Sequence, residues 1–363
     1  MGKSGIKMNT IIEYTSEDND LEKNSHIIEE AARILEAGGL VAFPTETVYG
    51  LGADFLNEAA VKNIYAAKGR PSDNPLIVHI ADKKAIYELA VDVSDNAKKL
   101  AEKFWPGPLT MIMKKSGIVP GYITGGLDTV AVRMPDNAVA LELIGKSGVY
   151  VAAPSANLSG KPSTTTAEHV INDLNGRIDM IIADKEARVG IESTIVDVSG
   201  EIPIILRPGA ITKEMLEEQL GRVDVDPAVA GAVVADGVVP RAPGMKYKHY
   251  APNADMTIVE GSNRDVIDTI NRLAAEKMQA GFKVGIVATA DNQGFYKADV
   301  VLSLGHNEAE AASKLYAVLR TFDKMEVDYI YSESFKSSNV GTAIMNRLIK
   351  AAGHNIIKAR GSE

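Results

Sequence analysis

The sequence predicts an α/β protein in which a mixed sheet, with helices around a concave pocket, precedes a smaller parallel, Rossmann-like domain. The length of 363 residues exceeds what one ordinary domain needs. Up to residue 221 strand patterns outnumber helix patterns at irregular spacing, whereas from residue 255 strands and helices alternate. Residues 222–252 are rich in Val, Ala, Gly, Asp and Pro and follow neither period. We therefore predict domains at 1–221 and 255–363, joined by a linker at 222–254.

Caps, apolar periods and turn formers place the elements of the first domain. Asn24-Ser25 can cap a helix that Gly38-Gly39 ends. Trp105-Pro106-Gly107-Pro108 forms a rigid turn after two helical stretches, because closely spaced prolines exclude a helix. Further helices are predicted at 58–68, 166–174 and from 212 to near 221, and strands at 40–43, 48–54, 76–80, 109–113, 129–134, 149–153, 180–183, 193–198 and 204–206.

The second domain alternates regularly. Strands are predicted at 256–259, 284–288, 300–302 and 329–332, with helices at 264–280, 308–323 and 339–352. This alternation is typical of a parallel sheet with crossover helices. At the other end of the chain, the polar segment from Met1 to Asn24 reads as a short tail leading into a first strand.

The composition excludes several classes of function. The net charge of -9 disfavours a general nucleic-acid coat, which would show a basic balance. The absence of cysteine excludes disulfides, thiolate nucleophiles and cysteine-based zinc sites. The 6 histidines show no metal-ligand spacing, and no apolar run is long enough to cross a membrane. We expect a cytoplasmic protein without a metal site built from its own side chains.

Two short sequences imitate the end of a phosphate-binding P-loop. Gly2-Lys3-Ser4 has no glycine-rich strand before it, and Gly145-Lys146-Ser147 has Ala140 where the opening glycine belongs. We interpret both as chance matches. No G-x-G-x-x-G follows a predicted strand either, so a dinucleotide-binding fold is unsupported.

The segment Lys68-Gly69-Arg70 is the strongest candidate for an anion site. Alone, two cations in a loop are more often solvated than functional. The next residues, 71–75, include two prolines and two turn formers, which should make the loop rigid. A rigid loop with both cations suits a polyphosphate, because arginine offers a bidentate fork and lysine a point charge.

Other polar residues stand at the ends of apolar strands. The charge of Arg133 lies on such a strand and needs a partner, for which a ligand carboxylate and an Asp or Glu of the chain are equally suitable. His79 ends another strand, either as a satisfied structural histidine or as a hydrogen-bonding contact to a small molecule. Taken singly, the remaining candidates are ordinary turn or cap residues: Thr45, Thr47, Ser155, Asn157, Ser163 and Ser193.

An ordered set of motifs runs through the chain. The motifs are Phe43-Pro44-Thr45-Glu46-Thr47-Val48-Tyr49-Gly50-Leu51, Lys68-Gly69-Arg70-Pro71, Trp105-Pro106-Gly107-Pro108-Leu109-Thr110, Pro154-Ser155-Ala156-Asn157, Glu192-Ser193-Thr194 and Arg207-Pro208-Gly209. In this order they resemble the YrdC-like family, in the long form that carries a C-terminal extension domain. The resemblance covers residues 26–221 and resumes in the linker and the extension, and both the Lys-x-Arg and Ser-x-Asn signatures are intact.

The resemblance implies a reaction and a set of contacts. The family joins L-threonine, bicarbonate and ATP into threonylcarbamoyl-AMP and releases pyrophosphate; a separate transferase then modifies an adenosine of tRNA. L-Threonine would be held by Thr47, His79, Arg133, the backbone of Ala153, and Ser193, with Arg133 on the carboxylate. ATP would be held by Lys68, Arg70, Asn74, Thr129, Ser155, Asn157, Ser163, Arg207 and Tyr250, with Lys68 and Arg70 as the catalytic cations.

The implied chemistry asks little of the protein beyond alignment. A carbamate of threonine attacks the α-phosphorus, so no protein nucleophile is needed, and the chain must position groups and neutralise phosphate charge. Mg²⁺ is expected with ATP, held mostly by substrate oxygens and water. The expected partners are ATP, L-threonine, bicarbonate and, transiently, the downstream transferase, with no membrane and no stable tRNA binding. Tyr250 would fold back from the linker as part of a lid that protects the labile carbamate from water.

Two other functions stay open on the sequence. An RNA-binding module would use the same concave basic cavity, but the net charge of -9 and the lack of aromatic residues clustered with basic ones disfavour it. Carbamoyl transfer to a protein occurs in hydrogenase-maturation proteins that share the YrdC-like module. Those proteins carry acylphosphatase-like and zinc-binding regions, which this cysteine-free chain lacks. The adenylate-forming reaction is therefore favoured.

Overall fold

Two separate β-sheets organise the protein. The computed structural model describes residues 9–16, 20–230, 240–243, 249–335 and 339–359. The larger sheet contains β1 (Ile11–Tyr14), β2 (Val41–Phe43), β3 (Gly50–Asp54), β4 (Ile77–His79), β5 (Leu109–Lys114), β6 (Thr129–Arg133), β7 (Val151–Ala153), β8 (Met180–Ala183), β9 (Thr194–Asp197), β10 (Ile204–Arg207) and β11 (Asp224–Val225). The smaller sheet contains β12 (Asp255–Glu260), β13 (Val284–Ala288), β14 (Val300–Ser303), β15 (Tyr329–Glu333) and β16 (Ile356–Lys358).

Helices connect the strands and cover the sheets. They are α1 (Ser25–Glu36), α2 (Glu58–Lys68), α3 (Ile86–Leu89), α4 (Asp95–Phe104), α5 (Gly121–Thr124), α6 (Ala138–Ser147), α7 (Ala167–Leu174), α8 (Lys213–Leu220), α9 (Asn263–Gln279), α10 (Glu308–Lys324) and α11 (Asn339–Ala351). Short 3₁₀ turns lie at Lys83–Ala85, Pro227–Ala230 and Gln293–Phe295. None of the helices in the described ranges is long and apolar enough to cross a membrane.

The larger sheet is mixed, as predicted. Its strand order is β1-β8-β2-β3-β7-β4-β6-β5-β9-β10-β11. Strands β4 and β6 run parallel, whereas β7 runs antiparallel to β4. Because of this register His79 lies beside Arg133, and Ala153 lies beside Ile77. Three strands that are far apart in sequence therefore bring predicted site residues to one place.

The end of α2 sets the position of the Lys-x-Arg segment. Asn57 caps the start of the helix, where its side chain accepts a hydrogen bond from the Ala60 amide. The helix ends at Lys68 because Gly69 adopts a left-handed conformation with φ 64°. The chain reverses at this glycine, which leaves Lys68 and Arg70 on either side of the helix end.

The C-terminal domain is a parallel sheet with the strand order β14-β13-β15-β12-β16, which confirms its predicted class. Its hydrophobic core is built mainly on α10 and α11 against the sheet, around Tyr316 and Leu348. The same cluster includes Val48 and Ile191 from the N-terminal part and Tyr250 from the linker. The N-terminal part and the linker thus contribute side chains to a hydrophobic cluster of the C-terminal domain.

Five elements in the structure were not predicted, among them the four-residue helix α5. β1 lies in the presumed tail and pairs with β8 in parallel; only four residues long, it gave too short a pattern. Helix α6 is apolar on most faces, so its period is weak, although Asn137 caps it. Gly145-Lys146-Ser147 ends this helix and forms no phosphate loop. The remaining two are β11 and β16, of two and three residues.

Candidate active site

A pocket lies where β4, β6 and β7 end beside the loop after α2 and the end of the linker. The pocket is partly open to solvent, and its concave shape with converging polar groups is typical of small-molecule sites. The predicted site residues that line it are Lys68, Arg70, His79, Arg133, Ala153, Ser155, Asn157, Ser163, Ser193, Arg207 and Tyr250. The structure therefore brings together most of the residues that the sequence singled out.

Three of the predicted residues do not line this pocket: Thr47, Asn74 and Thr129. Thr47 lies behind the wall, where its Oγ1 is 2.9 Å from Oγ1 of the lining residue Thr45. Asn74 is buried in the loop after α2. Thr129 begins β6, four residues before Arg133 along the strand. Direct ligand contacts of these three side chains stay predictions of the resemblance.

Lys68 ties the loop after α2 to the Ser-x-Asn turn. Its buried ammonium donates hydrogen bonds to the carbonyl oxygens of Ser155 and Asn157, the latter at 2.5 Å. These bonds use two of the three donors of the ammonium. Burial, and to a lesser degree the nearby Arg70, holds the pKa of Lys68 well below its usual value. An anion in the pocket would favour the charged form of this lysine.

Arg70 makes one side-chain hydrogen bond to the described residues. Its Nη2 donates to the carbonyl of Pro75 at 3.2 Å, within its own loop. Its buried Nε has no hydrogen-bond partner among the described residues. Burial, opposed by Tyr65 and Tyr250, lowers the pKa of Arg70 to about 10, so the guanidinium stays charged at neutral pH. A half-satisfied arginine at a pocket wall is suited to bind phosphate.

Arg133 has a partner within the chain. Its Nη2 donates to Glu46 Oε2 at 2.7 Å, and both side chains are almost fully buried. This ion pair answers the alternative that the sequence left open, in favour of a carboxylate of the chain. Arg133 Nε and Glu46 Oε1 nevertheless have no partners in the described residues. The pair therefore offers a donor and an acceptor to a third group.

His79 stands beside Arg133 as a neutral imidazole. Its Nδ1 lies 3.2 Å from the carbonyl oxygen of Ile77, and its ring packs edge-on against Phe43 with centroids 6.1 Å apart. Burial, reinforced by the charge of Arg133, lowers the pKa of His79 to about 3. A neutral ring beside a cation can exchange hydrogen bonds with a substrate without adding charge.

Lowering the pH should therefore destabilise the protein at pH values above those at which its carboxylates titrate. The pKa of His79 falls from 6.5 to about 3 on folding, so below pH 6.5 the unfolded chain binds more protons, and stability is lost as the pH falls. At pH 5 this one group should cost roughly 2 kcal/mol. Urea unfolding of the wild type and His79→Asn at pH 6.5 and 5.0 measures this cost; equal pH dependence in both would contradict a neutral buried ring.

The Ser-x-Asn turn is rigid. Ser155 Oγ donates to Asn157 Oδ1 at 2.5 Å, and Asn157 Nδ2 donates to the carbonyls of Leu158 and Lys161 at 2.8 and 3.0 Å. Because Lys68 holds two carbonyls of the same turn, its shape is fixed from both sides. The turn presents a hydroxyl and main-chain groups to the pocket.

Ser193 and Arg207 form a second polar wall. Arg207 Nε donates to the Ser193 carbonyl at 3.1 Å, and its Nη2 donates to Ser193 Oγ at 3.2 Å. Ser193 Oγ also lies 2.7 Å from Thr110 Oγ1. Burial lowers the pKa of Arg207, although Tyr250 and Glu192 oppose the shift. This cation is therefore oriented before any ligand arrives.

The end of the linker closes one side of the pocket. Pro243, His249 and Tyr250 all line it, and the Pro243 carbonyl accepts a hydrogen bond from Arg207 at 3.5 Å. Tyr250 is buried, and its backbone has φ 64°, a conformation that residues other than glycine rarely adopt. Of the predicted linker, residues 231–239 and 244–248 lie outside the described residues.

Several buried polar atoms without partners lie in the wall of this pocket or directly behind it. In the described ranges they include Arg70 Nε, Arg133 Nε, Glu46 Oε1 and His249 Nε2. Burial, with a smaller contribution from Arg70, also lowers the pKa of His249 to about 3. Unsatisfied buried groups cost free energy, so their concentration in one place indicates a site for a polar ligand.

Sequence reasoning missed the two carboxylates of the site. Glu46 was part of a quoted motif but received no role, and Glu192 was read only as the neighbour of Ser193. Glu192 lines the pocket and accepts a hydrogen bond from Ser163 Oγ at 2.5 Å. Their partners are 87 and 155 residues away along the chain. No local pattern carries that information.

Comparison with known proteins identifies the family. Residues 33–209 match the family model described as Telomere recombination, and residues 211–353 match the model described as Threonylcarbamoyl-AMP synthase, C-terminal domain. The chain is 49% identical over 328 residues to a threonylcarbamoyl-AMP synthase of Pyrococcus abyssi, which spans 90% of this chain and 94% of that protein. It is 48% identical over 343 residues to a threonylcarbamoyl-AMP synthase of Bacillus subtilis, with 94% and 97% covered.

The likeness extends to the three-dimensional structure. The crystal structure of P. abyssi Sua5 complexed with L-threonine superposes with a TM-score of 0.91 at 48% sequence identity. The match covers 97% of this chain and 100% of that chain, so it includes both domains. The sequence motifs, the pocket and the two-domain fold agree, and the chain belongs to the threonylcarbamoyl-AMP synthase family.

Proposed function

We propose that this protein joins L-threonine, bicarbonate and ATP into L-threonylcarbamoyl-AMP and pyrophosphate, as an ATP-dependent nucleotidyltransferase. One observation carries the proposal: a single pocket holds both the Lys-x-Arg and Ser-x-Asn signatures together with unpartnered guanidinium nitrogens. The relatives from P. abyssi and B. subtilis bear the name of this activity. The product would serve a separate transferase that modifies tRNA.

The threonine end of the pocket is assigned to β4, β6 and β7. Arg133 keeps nitrogens that Glu46 does not use, and these would take the substrate carboxylate. His79 and Ser193 would contact the polar atoms of the amino acid, and the Ala153 backbone would complete the wall. Thr47 would act indirectly, through its side-chain hydrogen bond with Thr45.

The nucleotide end is assigned to the loop after α2, the Ser-x-Asn turn and β10. Arg70 and Arg207 would neutralise the phosphates, and Lys68 would join them once an anion raises its affinity for a proton. Ser155, Asn157, Ser163 and Tyr250 line the same end. Asn74 and Thr129 are retained for ATP on the resemblance alone.

The reaction balances without a protein nucleophile. The threonine amine adds to CO₂ with release of a proton, or to bicarbonate with loss of water, and forms a carbamate. A carbamate oxygen then attacks the α-phosphorus, the bond from this phosphorus to the bridging oxygen breaks, and pyrophosphate leaves with the electron pair. The contribution of the chain is alignment of the two substrates and stabilisation of charge on the phosphates, for which Arg70 and Arg207 are positioned.

Magnesium would enter as part of the substrate, bound to ATP. Within the described residues no group of three or more His, Cys, Asp or Glu could hold a metal ion. The two carboxylates of the site are already engaged, Glu46 by Arg133 and Glu192 by Arg347. The pocket is therefore compatible with a Mg²⁺ ion that is coordinated by phosphate oxygens and water, and no step is assigned to a protein-bound metal.

The linker would act as a cover. His249 and Tyr250 stand over the pocket, and we assign them the exclusion of water from the labile carbamate. A transient contact with the downstream transferase and a cytoplasmic location, both expected from the sequence, stay predictions.

Pyrophosphate release tests the proposed function. ATP and Mg²⁺ are supplied, while L-threonine and bicarbonate are each supplied or withheld. Release that requires both would establish the reaction, and one threonylcarbamoyl product per pyrophosphate would support the cover. Release without threonine, or no release together with salt-dependent tRNA binding, would overturn the proposal.

A further inference from the structure

The C-terminal domain contacts the pocket wall at Glu192, a residue of the N-terminal domain. This residue precedes β9 beside Ser193, lines the pocket and is 7% exposed. A carboxylate close to a polyphosphate would repel it, so its charge must be offset by the protein. The groups that offset it come mostly from α10 and α11.

Three hydrogen-bond donors surround the carboxylate. Arg347 Nε donates to Oε2 at 2.9 Å, and the Tyr316 hydroxyl lies 2.8 Å from Oε2 and 3.0 Å from Oε1. Ser163 Oγ, on the pocket wall, donates to Oε1 at 2.5 Å. Although burial alone would raise it, Arg347 and Arg207 hold the pKa of Glu192 at about 2. The carboxylate is therefore charged at any physiological pH.

Arg347 also fixes the main chain on both sides of the pocket wall. This side chain is fully buried, at 0% exposed. Its Nη1 donates to the carbonyl of Pro208 at 2.9 Å, directly after Arg207. Its Nη2 lies 3.5 Å from the main-chain oxygen of Glu192, directly before Ser193. One arginine from α11 thus holds the two segments that present Ser193 and Arg207.

The same two residues hold the end of the linker. The rings of Tyr316 and Tyr250 stack at 5.4 Å with an interplanar angle of 28°. The Arg347 guanidinium carbon lies 5.6 Å from the centroid of the Tyr250 ring, within reach of a cation–π interaction. The ring of Tyr250, a residue with positive φ, is therefore in contact with two side chains of the C-terminal domain.

We propose that Arg347 and Tyr316 are positioning residues for the nucleotide: they stabilise the charge of Glu192, which holds Ser163, and they fix the segments that carry Arg207 and Tyr250. The C-terminal domain is then a part of the active site. This inference rests on the proposed function and goes beyond it, because nothing in the reaction itself requires a second domain. It predicts a defect in ATP binding that leaves the threonine site intact.

Variants of the network provide the test. Arg347→Met removes the ion-pair partner of Glu192, and Tyr316→Phe keeps the stacked ring but removes its hydroxyl. Each should raise KM for ATP at least ~10-fold, which corresponds to the loss of one hydrogen bond to a charged group, with KM for L-threonine within about twofold. Glu192→Gln placed in the Arg347→Met background should restore ATP binding, because it removes the uncompensated charge.

Lys324→Ala is the matched control. It lies on α10 and pairs across the two domains with Glu168 at 3.6 Å, but on the exposed surface, so both KM values should stay at the wild-type level. Equal rises in both KM values, or no rescue in the double variant, would show a structural role and overturn the proposal. An unchanged KM for ATP in the Tyr316→Phe variant would also overturn the proposal. This variant keeps the buried volume and should fold.

A second readout separates this inference from the proposed function. ATP binding is measured directly by calorimetry, without threonine or bicarbonate. A wild type that binds ATP but makes no threonylcarbamoyl-AMP would refute the function, while weaker binding by the two variants would still support the network. A wild type that makes the product while the variants bind ATP normally would refute the network alone.

Discussion

Replacing Arg70 by alanine should strongly reduce pyrophosphate release. Among the described residues, Arg70 makes one side-chain hydrogen bond, inside its own loop, and its buried Nε has no partner, so the side chain contributes little to the fold. Loss of a preorganised phosphate contact costs on the order of 2–4 kcal/mol of transition-state stabilisation. That is a rate loss of roughly 30- to 1,000-fold at unchanged substrate concentrations. Steady-state pyrophosphate release measures the loss directly.

The controls for Arg70 use charge and position. Arg70→Lys keeps the charge but not the planar fork, and should recover only part of the activity. Arg188→Ala removes an exposed arginine that pairs with Asp136 at 2.6 Å on the surface, where ion pairs contribute little, and should behave as wild type. Normal turnover in the Arg70→Ala variant would refute the phosphate clamp.

Replacing Arg133 by alanine should raise the L-threonine requirement and also destabilise the protein. The first effect follows from the loss of the proposed carboxylate partner. The second follows from Glu46, whose buried carboxylate would lose its only cation within 4 Å in the described residues; uncompensated buried charges cost about 3–5 kcal/mol. Threonine titration at saturating ATP and urea unfolding measure the two effects separately.

The double variant Arg133→Ala/Glu46→Gln separates binding from stability. Without the buried charge, the free energy of unfolding should return most of the way to the wild-type value. The threonine requirement should stay high, because the carboxylate partner is still missing. If only ATP affinity changed in either variant, the assignment of Arg133 to threonine would be wrong.

Local signals in the sequence predicted most of the elements and much of the pocket. The cap at Asn57 and the glycine at position 69 bound α2 where the pattern placed it. β1 and α6 escaped because a four-residue edge strand and a helix with apolar residues on most faces leave weak periods. Lys68 was predicted as a phosphate contact, and its bonds to the Ser-x-Asn turn add a structural role that its neighbours in sequence do not show.

Ion-pair partners were the part that the sequence could not supply. Arg133 lies 87 residues from Glu46, and Arg347 lies 155 residues from Glu192. Each pairing depends on the register of strands and on how the two domains pack. Composition and spacing give the number of charges in a chain, but only the fold decides which of them are neutralised before a ligand arrives.

The contacts between the two domains have a consequence for shortened or chimeric forms of this protein. Val48 and Ile191 belong to the N-terminal part by sequence but to the C-terminal core by packing, and Asp173 is paired with Arg320 of α10. A shortened protein that ends near residue 221 would expose apolar side chains such as Val48 and Ile191. It would also leave the carboxylates of Asp173 and Glu192 without Arg320 and Arg347, their ion-pair partners. The extension could therefore be lost, or swapped for another, only together with compensating changes at Val48, Asp173, Ile191 and Glu192.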